Sequence, residues 1–407
     1  MPKQASRGAG SSPRHGFFAC LLFVALALPA RAMPFLPDRD TEILETLPDA
    51  GDAQARALRA KHQALAADPH HLSLALDVAR GDLDRSRALG DPRYLGRAQS
   101  ALAPWSGADA PPEVKLLRAV ILQSNHDFAG ALALLAQIIR AHPDTPQAWL
   151  TRAAIHQAQA DYAASIADCG QFARMIIGLA PDICTASAMS LTGHAPLALH
   201  AVAISLQTNA AEAARQPAVA MWGLTLAAET AERLDDPGAQ DWFSRALALD
   251  ERDPYLLGAW SDYLLDHDRP REVARLLARF TRIDPLLLRL ALAEQAVHDN
   301  ALAGHIADLA ARFEASRLRG DTVHRREEAR FQLALMKQPA RALELARANW
   351  EVQREPADAR ILFECALAAH TPQAADPALA WLRDNHVQDN ALASRASKLH
   401  DAQAGAR

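Results

Sequence analysis

Residues 112–145 read PEVKLLRAVILQSNHDFAGALALLAQIIRAHPDT, and residues 146–179 read PQAWLTRAAIHQAQADYAASIADCGQFARMIIGL. Setting Pro112 on Pro146 brings the two stretches into register at a period of 34 residues. Ala119 then matches Ala153, Asp127 matches Asp161, Phe128 matches Tyr162 and Ala131 matches Ser165. Leu132 and Ile166, Leu135 and Cys169, and Ile138 and Phe172 pair in the same way, and Tyr94 lies another 34 residues before Phe128. Small residues recur where two helices must approach closely, and large ones at the 3.6-residue spacing of a buried face. Each unit predicts a helix, a short polar turn, a second helix and an Asp/Pro punctuation. His126-Asp127 and Asp161 mark the turns; His142-Pro143-Asp144 and Pro181-Asp182 mark the boundaries.

Composition points the same way. The chain has 407 residues, 50% hydrophobic and 5% aromatic, with 18 Gly and 24 Pro, too few of the last two for a fibrous or disordered chain. Alanine, leucine and arginine dominate, β-branched residues are sparse, and such side chains lose little freedom on a helix. An all-α fold is expected. The net charge of −5 argues against a nucleic-acid partner.

The periodic positions carry a family resemblance. Trp149, Ala153, Tyr162 and Ser165 in one unit, and Ala119, Leu122, Phe128, Ala131, Leu135 and Pro143 in the unit before, sit at the offsets of one fingerprint. Ser261, Leu264, Val273, Leu277, Phe280 and Pro285 repeat it after Pro254; Phe363, Ala375, Leu379 and Leu382 repeat it after Pro356. The pattern resembles the tetratricopeptide repeat (TPR) family. Arg118 and Arg152 stand where the fingerprint prefers Leu, and His156 where it prefers Tyr. The likeness covers most of 51–390, with an insertion near 209–217 and a longer helix over 301–319 before Gly320-Asp321. It implies an α-solenoid of about nine helix-turn-helix repeats in a right-handed superhelix, because a unit of this size buries its apolar face only on its neighbours. Residues 391–407 are expected to form a polar cap or tail.

The resemblance also implies a concave groove lined by the first helix of each pair. Carried onto the clearest units, its groove positions are Leu116, Val120 and Gln123, then Leu150, Ala154 and Gln157. These are apolar or amide-bearing rather than Lys and Asn, so a clamp for an acidic C-terminus is not implied. A hydrophobic or mixed peptide, or a partner helix, is the expected occupant. Self-association through the end repeats is a further expectation.

Lys3, Arg7 and Arg14 precede an apolar run from Phe17 to Leu28 and the sequence Pro29-Ala30-Arg31-Ala32. This predicts a secretory signal peptide over residues 1–32, cut after Ala32, with 33–50 as a leader. The run is shorter than the roughly 20 residues of a membrane-spanning helix. Secretion by the general pathway into a periplasm is the expected localisation. Cys169 and Cys184 could bridge neighbouring helices, although their apolar settings favour buried free thiols; Cys365 is left over.

Catalytic signatures are missing: there is no Gly-rich phosphate loop, no Gly-x-Ser-x-Gly, no His-Glu-x-x-His and no Cys-x-x-Cys. No catalytic residue, cofactor or metal is expected, and a solenoid without an appended domain predicts a non-enzyme, with a ligand site or enzyme subunit assembled from several repeats as the alternative. Asp82 with Asp84 and Glu327 with Glu328 read as solvated faces. Arg317, Arg319, Arg325, Arg326 and Arg330, interleaved with Glu314, Asp321, Glu327 and Glu328, read as helical ion pairing. Trp149, Trp222, Trp260, Trp350 and Trp381 are expected between helices.

Overall fold

The computed structural model describes residues 39, 53–321 and 323–405. The predicted signal peptide and nearly all of the leader lie outside the described residues. Contacts divide the chain into 1–53 and 54–407, and the second unit holds the helices apart from the first residue of α1. In order these are α1 (Ala53–Ala67), α2 (Leu72–Leu89), α3 (Arg93–Ala101), α4 (Pro112–Ser124), α5 (Phe128–Ala141), α6 (Pro146–Ala158) and α7 (Tyr162–Met175). There follow α8 (Leu179–Met189), α9 (Ala195–Thr208), α10 (Ala210–Arg215), α11 (Pro217–Arg233), α12 (Ala239–Leu247), α13 (Pro254–Asp266) and α14 (Pro270–Leu277). The last are α15 (Asp284–Val297), α16 (Leu302–Leu318), α17 (Arg325–Ala334), α18 (Pro339–Trp350), α19 (Pro356–Ala368), α20 (Asp376–Asp384) and α21 (Asn390–Gly405). No strand occurs among the described residues. The architecture is an all-α helical-repeat solenoid, in which consecutive helices pack as pairs and pairs stack on pairs.

The repeat seen in the sequence is a repeat of packing. Ala119, Phe128, Ala131, Leu135 and Ile138 are buried, and so are Ala153, Tyr162, Ser165, Cys169 and Phe172 one period later. Asp127 and Asp161 each cap a second helix, accepting from Gly130 N at 2.9 Å and Ala164 N at 3.1 Å. The preceding residues, His126 and Ala160, both take the left-handed conformation (φ 57° and 64°) that turns the first helix into the second. Pro at the start of α4, α6, α13, α18 and α19 has no N–H to leave unpaired, which suits the first helical turn.

The later repeats do not run on freely. Trp350 and Trp381 pack edge to face at 5.6 Å between centroids and share one apolar cluster with Tyr162, Ala188 and Leu191. Trp381 Nε1 donates to the Tyr162 hydroxyl at 3.0 Å, across 219 residues. Arg354 N donates to Ala158 O at 2.8 Å, Ala195 N to Gln388 Oε1 at 2.9 Å, and Asn390 Nδ2 to Asp235 Oδ2 at 2.8 Å. The segment α18–α21 therefore folds back onto α6–α9 and the end of α11, and turns the inner face into an enclosed space.

The insertion at 209–217 contains the short α10, whose Glu212 accepts from Leu179 N at 3.2 Å and ties it to the start of α8. The longer helix expected at 301–319 is α16. Residues 390–405 form α21, with Leu392, Ala396 and Leu399 buried. Three expectations are corrected. Asp82, Glu327 and Glu328 are buried rather than solvated, because each faces a cationic or protonatable partner: His62, Arg326 and Arg317 respectively. No helix among the described residues is long and apolar enough to cross a membrane.

Removing the cap oxygen tests the repeat unit directly. Asp161→Ala leaves one N-terminal amide of α7 without its side-chain partner and is expected to cost about 1 kcal/mol in a urea titration; an unchanged midpoint would show that the cap contributes nothing.

Candidate functional site

The inner face holds a cavity of about 260 Å³. Its walls come from the C-terminal end of α4, the start of α5 at Phe128, one face each of α6 and α8, Ser165 of α7, Trp222 of α11, and Gln353 and Glu355 between α18 and α19. Four of the six expected groove residues, Gln123, Leu150, Ala154 and Gln157, line it together. The other two do not: Leu116 packs beside the Phe128–Leu135 cluster, and Val120 beside the cluster of α2, α3 and α4. Leu116 and Val120 are half-buried, beside the seams between helices, and do not line this cavity. Gln123 and Gln157 lie one period apart and present the same carboxamide twice. Trp222, expected between helices, does touch the core but also forms part of this wall.

A second cavity of about 150 Å³ shares His126 and Gln353 with the first and adds His324, Arg326, Glu327 and Asn349. Around the two runs a network of charges that the spacing of the sequence gave no reason to join. Asp262 of α13 accepts from Arg289 Nη2 at 2.5 Å and Arg330 Nη1 at 2.6 Å. Against the opposing effect of burial, these two guanidiniums hold Asp262 well below the usual carboxylate range. Arg326 lies 3.3 Å from Glu327, 3.4 Å from Glu355 and 3.3 Å from Asp358, so its charge is held firmly on. Asp358 also accepts from Asn349 Nδ2 at 2.8 Å, yet burial pushes its carboxyl up to about 7. Arg360 bridges Asp266 and Glu364, and Arg395 reaches Glu364 at 3.0 Å.

Two carboxylates lie outside this pairing. Glu229 accepts from the Tyr255 hydroxyl at 2.7 Å, and burial raises its pKa. Glu232, one turn further along α11, has no ion pair or side-chain hydrogen bond among the described residues. Burial, reinforced by Asp266, Glu229 and Asp262, pushes it up to about 8. Tyr255 is 65% exposed, yet the Glu229 charge and desolvation by surrounding protein raise its pKa. Both hold together when a side chain projects into a concavity with protein on several sides. No single helix shows this convergence in its sequence, because Glu229, Tyr255, Asp262, Arg289, Arg326 and Glu355 come from four helices and the approach to a fifth.

Arg325, Arg326 and Arg330 of the arginine-rich stretch are half-buried, whereas Arg317 and Arg319 are exposed. Arg317 pairs with Glu314 and Glu328, Arg330 with Asp262, and Arg325 Nη1 donates to Ala348 O at 3.2 Å. Among the described residues no group of three or more His, Cys, Asp or Glu side chains is placed to hold a metal ion. His71 caps α2, and His305 bonds Glu294 at 2.9 Å.

Cys169 and Cys184 are joined, with Cα atoms 5.6 Å apart. This corrects the expectation of free thiols: the repeat places position 169 on the buried side of α7, directly against α8. Cys184 also lines the larger cavity, so the bridge fixes two of its walls. Cys365 remains free and buried, its thiol pushed up to about 12 by burial.

No protein-family model matches the chain, and no curated protein does. Among solved structures, the human IFIT1 dimer with m7Gppp-AAAA aligns over 85% of this chain and 85% of its own, at 13% identity and a TM-score of 0.41. Yeast Tom70 aligns over 87% and 86%, at 10% identity and a TM-score of 0.38. The P58(IPK) TPR domain aligns over 80% and 96%, at 12% identity and a TM-score of 0.21. The helical-repeat architecture stands on the helices themselves, and at these scores the neighbours add nothing about function.

Two outcomes test the site. Peptide mapping without reductant is expected to recover the Cys169 and Cys184 peptides linked. The closed loop spans 15 residues, and replacing both cysteines with serine is expected to cost about 3 kcal/mol. The second concerns pH. Native Glu232 holds its proton to about 8, whereas the unfolded chain releases it near 4.5, so stability falls as pH rises between those values. Glu232→Gln keeps the neutral shape at every pH. It is expected to exceed the parent by about 1 kcal/mol or more at pH 8.5 and to match it at pH 4; parallel urea curves at both pH values would discard this account.

Proposed function

We propose that the chain is a non-enzymatic helical-repeat scaffold that holds a peptide or helix of a partner protein in its concave face. The observation that carries this reading is the shared cavity. Gln123 and Gln157, one repeat apart, line it with Leu150 and Ala154 between them. A carboxamide both donates and accepts, so two of them at a helix-to-helix separation of about 8–10 Å match the backbone of roughly three extended residues. The apolar wall of Leu150, Ala154, Phe128 and Trp222 supplies area for side chains. The basic start and apolar run at the N-terminus support export by the general route, and we place the scaffold in a bacterial periplasm.

A second reading has its own observation. Ionisable side chains from several repeats converge on one concavity, the arrangement expected of a site for a small polar ligand. The peptide reading is preferred because most of these charges are already satisfied within the chain.

Ala154→Trp fills the cavity from an exposed position and leaves the buried seam alone. Titration with peptides recovered from a random library is expected to show at least tenfold weaker binding to this variant. Undiminished binding to a folded variant moves the site elsewhere. N-terminal sequencing of the exported protein is expected to begin at Met33; a start at Met1 removes the signal-peptide reading.

A further inference from the structure

Packing asks only for a small residue where the second helix of a unit meets its neighbours, and the repeat before α7 supplies Ala131, fully buried. One period later the chain has Ser165, 1% exposed and on the wall of the larger cavity. Its hydroxyl makes no hydrogen bond among the described residues. Unlike the Ser261 oxygen, which is sealed in the core without a partner, the Ser165 oxygen keeps some surface, and that surface opens into the cavity. Burying a hydroxyl unpaired is unfavourable. Alanine serves the same seam in the preceding repeat, so packing does not account for the oxygen. An occupant of the cavity with a polar atom to meet it does.

The rest of the lining describes that occupant. Ala153, Cys184 and Phe128 are buried like Ser165 and form the deep part of the cavity. Gln123 and Gln157 are half-buried and Ala154 is exposed, which puts them at its mouth. The wall offers no free charge. Glu355 already accepts from Gln353 Nε2 at 2.6 Å and pairs with Arg326 at 3.4 Å, and burial lowers the pKa of His126, which leaves its ring neutral at pH 7. A charged side chain would give up its hydration here for no partner. A cavity of about 150 Å³ already admits a benzene ring, so one of about 260 Å³ has room for a substituted ring. Phe128 and Trp222 present aromatic surface to it. Tyrosine alone among the coded side chains joins an apolar ring to a hydroxyl at its far end; tryptophan carries its N–H on the flank.

We propose that the cavity receives a tyrosine of the partner peptide, with its ring against Phe128 and Trp222 and its hydroxyl bonded to Ser165. This rests on the peptide-binding reading and names what the peptide must carry. Side chains of an extended segment alternate between its two faces, so a backbone held at the mouth by Gln123 and Gln157 directs one of them inward. Each hydroxyl both donates and accepts, so Ser165 is satisfied whichever of the two donates.

The test passes a synthetic library of random decapeptides, without cysteine, over the immobilised full-length chain, with parallel columns of Ala154→Trp and Ser165→Ala. Ser165→Ala introduces the residue that the preceding repeat has at Ala131, and so keeps the seam. The parent is expected to retain peptides at least fivefold enriched in tyrosine at one position. Exchanging that tyrosine for phenylalanine in a recovered peptide is expected to weaken binding to the parent by about tenfold or more, because the Ser165 hydroxyl is left unpaired. The same exchange is expected to change binding to Ser165→Ala by less than about twofold. The exchange on the parent needs no protein variant, so misfolding cannot imitate it. Equal binding of the two peptides to the parent, enrichment of any other residue in place of tyrosine, or a tyrosine preference that survives in Ser165→Ala overturns the inference and leaves the groove reading standing. No recovery above the Ala154→Trp column removes both.

Discussion

Every helix pair in this chain has an apolar face that it cannot bury by itself. Ala119 and Ala131 of one pair, and Ala153 and Ser165 of the next, are small because the backbones of adjacent helices must come together over them. Phe128, Leu135 and Ile138, and their counterparts Tyr162, Cys169 and Phe172, fill the space that remains. Full burial of a side chain of this size contributes about 1.5–3 kcal/mol, and each such term depends on the neighbouring repeat being in place. Stability is therefore shared along the stack, and the loss of one pair exposes two others.

That shared burial leaves the inner face free to be polar. The return of α18–α21 onto α6–α9, fastened by Trp381 on Tyr162 and by Arg354 on Ala158, encloses the inner face without filling it. Within the enclosure the effective dielectric is low, so carboxylates are either tightly paired, as Asp262 is, or pushed towards their neutral form, as Glu232 is. Ion pairs of this kind contribute little net stability, since desolvation offsets their attraction. They join α13, α15, α17 and α19 to one another through Asp262, Arg289, Arg330, Arg326 and Asp358. The Cys169–Cys184 bridge adds a covalent constraint where α7 and α8 form two walls of the cavity.

The sequence by itself determined the repeat, and with it the helices, their caps and the buried positions. These are local properties: a period of 34, an Asp before each second helix in 112–179, and small and large residues at helical spacing are all visible within one or two units. It also placed Gln123, Leu150, Ala154 and Gln157 on one surface, because a repeat carries its neighbour's geometry with it. Only the tertiary structure decided the rest. Leu116 and Val120 are half-buried and stand outside the cavity, Glu327 and Glu328 are buried, and Trp222 is a wall of the cavity as well as a packing residue. Glu229, Tyr255, Asp262, Arg289, Arg326 and Glu355 meet although no fixed spacing connects them. The physical reason is that small departures in twist accumulate from repeat to repeat. Which distant helices finally face one another across the concavity depends on the sum, and no short stretch of sequence records it.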